Sequence, residues 1–222
     1  MAHYGSDAKG AATAVKDIPS ERLKLIGADL NDQAQVKRLW REALEWRGRI
    51  DVLINNAAVM RLKGGISDDD ETWDDVWDET LRVNVLSPAR LMRHAVRHYL
   101  EAGGGSIITI SSWAAQRGPG NPALIAYAAS KGAILSATKT IARNYAKNNI
   151  LAYMVTPGVV RTRLSVDAAA ATGGEAAVTA GLAMGEWVPP ADIASLVTFL
   201  SSGTCRHLSG ATLDVNGATY IR

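Results

Sequence analysis

A chain of 222 residues, 47% hydrophobic and 21% charged, is long enough for one complete core and is composed like an ordinary globular domain. Its formal net charge of +2, with 24 basic residues scattered along the chain, offers no patch for nucleic acid, and no apolar run reaches the length of a membrane span. The single cysteine, Cys205, excludes an internal disulfide and suits a reducing, cytoplasmic setting, and the N-terminal MAHYGSDAKG lacks the basic-then-apolar signature of a signal peptide.

Taken in chain order, residues 1–22 read as the tail of a strand or loop followed by a helix, because Ala8, Ala11, Ala12, Val15 and Ile18 recur at helical spacing. Leu23 to Ala28 is a short apolar strand. Asn31 or Asp32 suits the N-cap of a helix running from about Gln33 to Trp46. Asp51 to Ile54 reads as a buried strand, followed by the turn Asn55-Asn56-Ala57-Ala58. The acidic run at 68–71 is a solvated helix start rather than a metal site: carboxylates suit a helix N-terminus, and the run lacks histidine and the alternating spacing of a calcium loop. A long helical stretch is predicted from Thr72 to Glu101, broken near Ser87-Pro88 and ended by Gly103–Gly105. Ser106 to Ile110 is β-branched and reads as a strand, Pro122 to Lys147 as a helix, and Ile150 to Val155 as a strand ending at Pro157-Gly158. Residues 163–188 are rich in Ala and Gly with weak periodicity. A helix begins at Pro189-Pro190, and Gly210 to Val215 is the last strand.

The stretch SSWAAQRGPGNPALIAYAASK, from Ser111 to Lys131, carries the chemistry. Tyr127 and Lys131 are four apart, so a helix puts them on one face, one turn from each other. A cation beside the phenol lowers a pKa that starts near 10, and a tyrosine so tuned passes protons to and from a substrate oxygen. Ser112, at the end of the preceding strand, can hydrogen-bond the same oxygen. On spacing alone the pair is a common accident and the serines read equally as caps.

Seven segments lie along the chain in one order: ADLND (28–32), NNAA (55–58), RVNV (82–85), GSIITISS (105–112), YAASK (127–131), PGVVRT (157–162) and SGATLDVNG (209–217). Together they resemble the motifs of the short-chain dehydrogenase/reductase family over nearly the whole chain. The resemblance implies a single α/β domain, residues 1–222, with a Rossmann-like doubly wound parallel sheet. It implies reversible hydride transfer between a nicotinamide dinucleotide and a ketone or secondary alcohol. Tyr127 would then be the proton donor, with Ser112 orienting the oxygen and Lys131 tuning Tyr127 and holding the nicotinamide ribose. Asn84 would distort its helix and support a proton-relay water. The cofactor residues implied are Asp29 and Leu30 beside the adenine, Asn55 and Ala57 on the facing turn, and Pro157, Gly158, Val160 and Thr162 around the carboxamide. His3, Tyr4, Gly5 and Ser6 stand where members that prefer NAD commonly place an acid. That tilts the expectation to NADP, with Ser6 on the 2′-phosphate and NAD as the second choice. Residues 163–188 resemble a lid, with Trp113 and Trp187 able to make an aromatic pocket beneath it. The two long helices imply a homodimer or homotetramer.

The resemblance also exposes a gap. The family's first strand, its glycine-rich TGxxxGxG turn and its first helix have no counterpart, and Gly103–Gly105 does not replace them because it ends a helix and precedes a strand. The absent strand is expected to leave a hole between the Leu23–Ala28 and Asp51–Ile54 strands. Three remedies are open: an upstream start, a shift of Leu23–Ala28 onto Asp51–Ile54, or a partner chain in the gap. Two functions remain open with them, an NADP(H)-dependent oxidoreductase and a cofactor-incompetent homologue acting as a binding or assembly protein.

Overall fold

The computed structural model spans residues 1–222 and carries six parallel strands in two sheets. Strand β1 (Ala2–Tyr4) pairs with β2 (Leu25–Gly27), while β3 (Val52–Asn55), β4 (Gly105–Ile110), β5 (Ile150–Pro157) and β6 (Thr212–Val215) form a second sheet in that order. Every pairing is parallel, and each crossover is long enough to hold a helix, as parallel neighbours require. The break falls between β1 and β3. The expectation that the hole adjoins Leu23–Ala28 is corrected: β1 takes that place, and β2 lies outside it. Nor does β2 shift to pair with β3. A cavity of about 570 Å³ separates the two sheets, lined by Ala2, His3, Leu39, Trp40, Leu53 and Asn55 among others.

Alternation along the central strands decides the two faces. Ile107, Ile150 and Ala152 point to one side, where α2 (Gln33–Arg47), α4 (Ser87–Ala102) and α6 (Ile125–Tyr145) contribute Trp40, Met92, Tyr99 and Ile134 to the larger core. Ile108, Leu151, Tyr153 and Val155 point to the other, which α9 (Pro190–Ser201) covers through Leu200, Ile193 and Leu196. Strand β5 is buried along its whole length, the pattern of a strand sandwiched between helical layers. Ile54 of β3, by contrast, stays 46% exposed at the rim of the break.

The helix starts are set locally. Asp32 accepts from the amides of Ala34 and Gln35 and caps α2, and Gly48 (φ +69) ends it. The acidic run divides its labour: Asp68 accepts from Gly64 and Gly65, and Asp69 caps α3 (Asp70–Leu81) through Thr72. The predicted break in the long helix is real but has its own form. Residues Arg82–Leu86 make a π-turn between α3 and α4, in which the amide of Ser87 reaches back to the carbonyl of Arg82. Pro88 has no N–H to donate to the carbonyl of Asn84 four residues earlier, so the regular ladder cannot continue there.

Candidate active site

The site forms where β4 and β5 end. Ser111 and Ser112 follow β4, and both are buried. The hydroxyl of Ser111 donates to the backbone carbonyl of Lys131 at 2.8 Å, tying the strand end to α6. Ser112 precedes the short helix α5 (Ala114–Arg117), its hydroxyl accepting from the amide of Ala114 at 3.1 Å. Tyr127, in the first turn of α6, and Ser112 line the same cavity, about 620 Å³ in volume. Leu164, Ser165 and Ala168 of α7 (Arg163–Ala170) and Val178 of α8 (Gly174–Ala180) form its far wall. The segment expected to be a lid is therefore a pair of helices over the pocket.

Lys131 lies one turn below Tyr127 and is 4% exposed. Its ammonium donates to the carbonyl of Ile110 at 2.9 Å and sits 5.7 Å from the centre of the Tyr127 ring. Burial lowers its pKa to about 8. The expected effect on Tyr127 is reversed: burial pushes the phenol's pKa up, and only the hydroxyl of Ser112 acts the other way. Desolvation outweighs the cation here because the lysine charge is aimed at a backbone carbonyl rather than at the phenol oxygen.

Asn84 is 3% exposed and fully engaged. Its Oδ1 accepts from the amide of Val59, and its Nδ2 donates to the carbonyl of Val59 and to the hydroxyl of Ser130. Both amide protons are thus used in clamping the loop after β3 to α6, beside Lys131. The Ser130 and Ser111 contacts are what sequence reasoning missed. The serine pair and the Asn84-to-Pro88 spacing are the only signals that point toward them.

The remaining candidates fall into three places. Gly158 joins Ser112 and Tyr127 in the pocket wall. A Cβ there would lie 2.8 Å from that of Asn216 and 3.0 Å from its Cα, so only glycine fits without a shift. Pro157 precedes it at the end of β5. Val160 bridges to Val188, and Thr162 precedes α7 without capping it through its side chain. Asn55, Ala57 and Leu30 line the break between the sheets, where the Nδ2 of Asn55 is buried without a partner. Asp29 is exposed and accepts from the amide of Asn31, so it shapes its own turn, and Ser6 is exposed beyond β1. Of the two tryptophans, Trp113 lines the pocket, whereas Trp187 is buried behind it, donating to Thr179 at 2.9 Å.

A family model described as "Enoyl-(Acyl carrier protein) reductase" matches residues 1–218. Dehydrogenase/reductase SDR family member 4 of Homo sapiens is 33% identical over 94% of this chain and 74% of its own. The 3-oxoacyl-[acyl-carrier-protein] reductase FabG of Escherichia coli is 29% identical over 96% and 84%. Among solved structures, 3-ketoacyl-(acyl-carrier-protein) reductase from Brucella melitensis, complexed with NADH, aligns with a TM-score of 0.84 at 26% identity, covering 99% of this chain and 87% of that one. ElxO with NADP bound aligns at 0.82 and 22% identity, covering 98% and 87%, a likeness of fold. By the match of the family model and the relative at 33% identity, the chain belongs to the short-chain dehydrogenase/reductase family.

Proposed function

We propose that this chain is an NADP(H)-dependent oxidoreductase that interconverts a ketone and a secondary alcohol at Ser112, Tyr127 and Lys131. The observation that carries the proposal is that Ser112 and Tyr127 line one cavity, with a buried lysine one helical turn below. The solved structures of similar fold hold NADP or NADH, which supports a nicotinamide dinucleotide here. The absence of an acid among His3 to Ser6 favours NADP over NAD. The one acid nearby, Asp7, is spent on capping α1 (Ala8–Ala14) through Gly10.

The residues fit the nicotinamide end of such a cofactor. Gly158 lines the same pocket as Ser112 and Tyr127, and in the break between the sheets the unpartnered Nδ2 of Asn55 is a buried donor for an acceptor oxygen further along the dinucleotide. Lys131, Val160 and Thr162 would hold the ribose and carboxamide, and Leu30, Asp29 and Ser6 the adenosine end. The bound cofactor supplies the hydride. Ser112 orients the substrate oxygen. Tyr127, held protonated by burial, donates its proton to that oxygen as the carbonyl is reduced, and takes it back in the reverse direction. Lys131 keeps a positive charge under the ring at neutral pH. Asn84 holds Val59 and Ser130 in place, a supporting part in the relay expected of it.

A cofactor-incompetent binding or assembly protein is the alternative, and the open break between β1 and β3 favours it. Titration with NADPH and NADH, followed by thermal stability, decides between the two. Saturable binding, which at one hundred times the dissociation constant adds about 2.7 kcal/mol, supports the oxidoreductase. A carbonyl screen then uses Tyr127→Phe, expected to lose about 10²–10⁴ in turnover while keeping cofactor binding. Absence of binding at millimolar cofactor favours the alternative.

A further inference from the structure

We infer that Arg117 selects substrates bearing a carboxylate, placed several carbons from the carbonyl to be reduced. Arg117 is the only charged residue lining the cavity that holds Ser112 and Tyr127; its neighbours there are apolar or neutral, Met60, Leu62 and Leu164 among them. Its guanidinium lies 4.4 Å over the ring of Trp113, which fixes its plane and leaves its N–H edge free. No carboxylate of the chain pairs with it. Asp214, which Gln116 touches, is taken by Arg222 and by Thr156. The basic residues nearer the lid are already neutralised, Arg161 by Glu175 and Arg163 facing Asp167. An unpaired, oriented cation at an otherwise uncharged pocket is a receptor for one negative group.

The chemistry of that group follows from the count. A single guanidinium presents a planar fork that matches one carboxylate with two parallel hydrogen bonds. A phosphate, with a charge of about −1.5 to −2, calls for further cations, and this wall has none. The spacing follows from α5. The amide of Arg117 bonds to the carbonyl of Trp113, so residues 113–117 are one helical turn starting beside Ser112. Four steps of helical rise from Trp113 to Arg117 span about 6 Å, which sets Arg117 a full turn beyond the residue that follows Ser112 and suits a longer, flexible oxo acid over an α-oxo acid. The inference rests on Ser112 and Tyr127 holding the carbonyl.

The test compares levulinate and its longer straight-chain homologues with their methyl esters, using the wild type, Arg117→Met and Arg117→Lys at saturating NADPH. Pyruvate serves as the short control. Equilibrium binding of each compound is read in parallel by quenching of tryptophan fluorescence, which needs no turnover. Acids are expected to be preferred over esters by about ten- to hundred-fold, expressed in KM rather than kcat. That ratio is expected to fall to about one in Arg117→Met and to return in part in Arg117→Lys. Equal treatment of acid and ester by the wild type, or a preference that survives Arg117→Met, overturns the inference. If nothing is turned over but the binding preference follows Arg117, the oxidoreductase assignment fails and the carboxylate site stands. Neither binding nor turnover of any acid overturns both.

Discussion

Lys131 shows how a single buried charge links stability to pH. Its folded pKa is about 8 against an ordinary value of 10.5, and the cause is desolvation. Between those values the unfolded chain binds more protons than the folded one, so stability rises with pH through that window. The full shift corresponds to about 3 kcal/mol. Urea denaturation at pH values from about 7 to 11 is expected to show this rise in the wild type and to show it missing in Lys131→Met, once the shared titration of other groups is subtracted. Asn84 offers a second residue-scale test. Asn84→Ala strands the amide and carbonyl of Val59 in a half-buried loop, and a loss of about 1 kcal/mol is expected in the same assay. The sequence disclosed both residues through their motifs. It hid the direction of the Tyr127 shift, because spacing places a lysine near a phenol but does not say which atom the ammonium points at.

At the scale of elements, α7 and α8 are held beside the pocket by a small set of contacts. Arg161 lies 4.9 Å over Trp187 and pairs with Glu175 of α8, while Trp187 donates to Thr179 of the same helix. Gly173 and Gly174, both with positive φ, make the turn from α7 into α8. Arg161→Ala is expected to speed proteolytic cleavage between residues 171 and 174 several-fold and to raise the KM for carbonyl substrate more than it lowers kcat. A surviving lid with unchanged cleavage kinetics would show that Trp187 alone suffices. Residues 163–188 looked featureless in the sequence because short Ala-rich helices have little amphipathic signal; what makes them helical is the wall they form against the pocket. The strands were far more legible, since Ser106–Ile110 and Ile150–Val155 are apolar and β-branched with clear turn signals. The π-turn at Arg82–Leu86 was legible only as a break, because Pro88 announces that a ladder is interrupted without saying how the interruption is resolved.

At the scale of the whole molecule, assembly is the open quantity. Ala129, Ala133 and Ser136 are exposed on α6, and a Cβ added to Gly132 between them would meet nothing within 4 Å, so a second α6 can approach closely. Leu86 and Leu100 beside it are 53% and 47% exposed. A homodimer through α4 and α6 is the expected state, read by light scattering as twice the chain's 23.6 kDa, with Ala133→Arg shifting it toward the monomer. The overall architecture was readable from the order of the motifs, five of which lie on strands or at their ends, while RVNV and YAASK lie on helical segments. The location of the break was not: the reading put Leu23–Ala28 next to the gap, and the cavity lined by Ala2 and His3 of β1 together with β3 reveals which strand borders it.

That break has a consequence for how the molecule comes apart on heating. Cooperative melting depends on contacts that cross between regions, and a continuous sheet usually supplies them through its backbone ladder. Here no ladder joins β1 and β2 to the other four strands; the link runs through Val36 and Trp40 of α2 packed on Leu91, Met92 and Ala95 of α4. The segment from β1 to β2, tied to the rest through α2, is therefore expected to lose its amide protection before β4 and β5 and to give calorimetry a low-temperature shoulder ahead of the main transition. A dinucleotide gripped at both ends would fuse the two events into one, so the shape of the endotherm, more than its midpoint, reports whether the halves have been bridged.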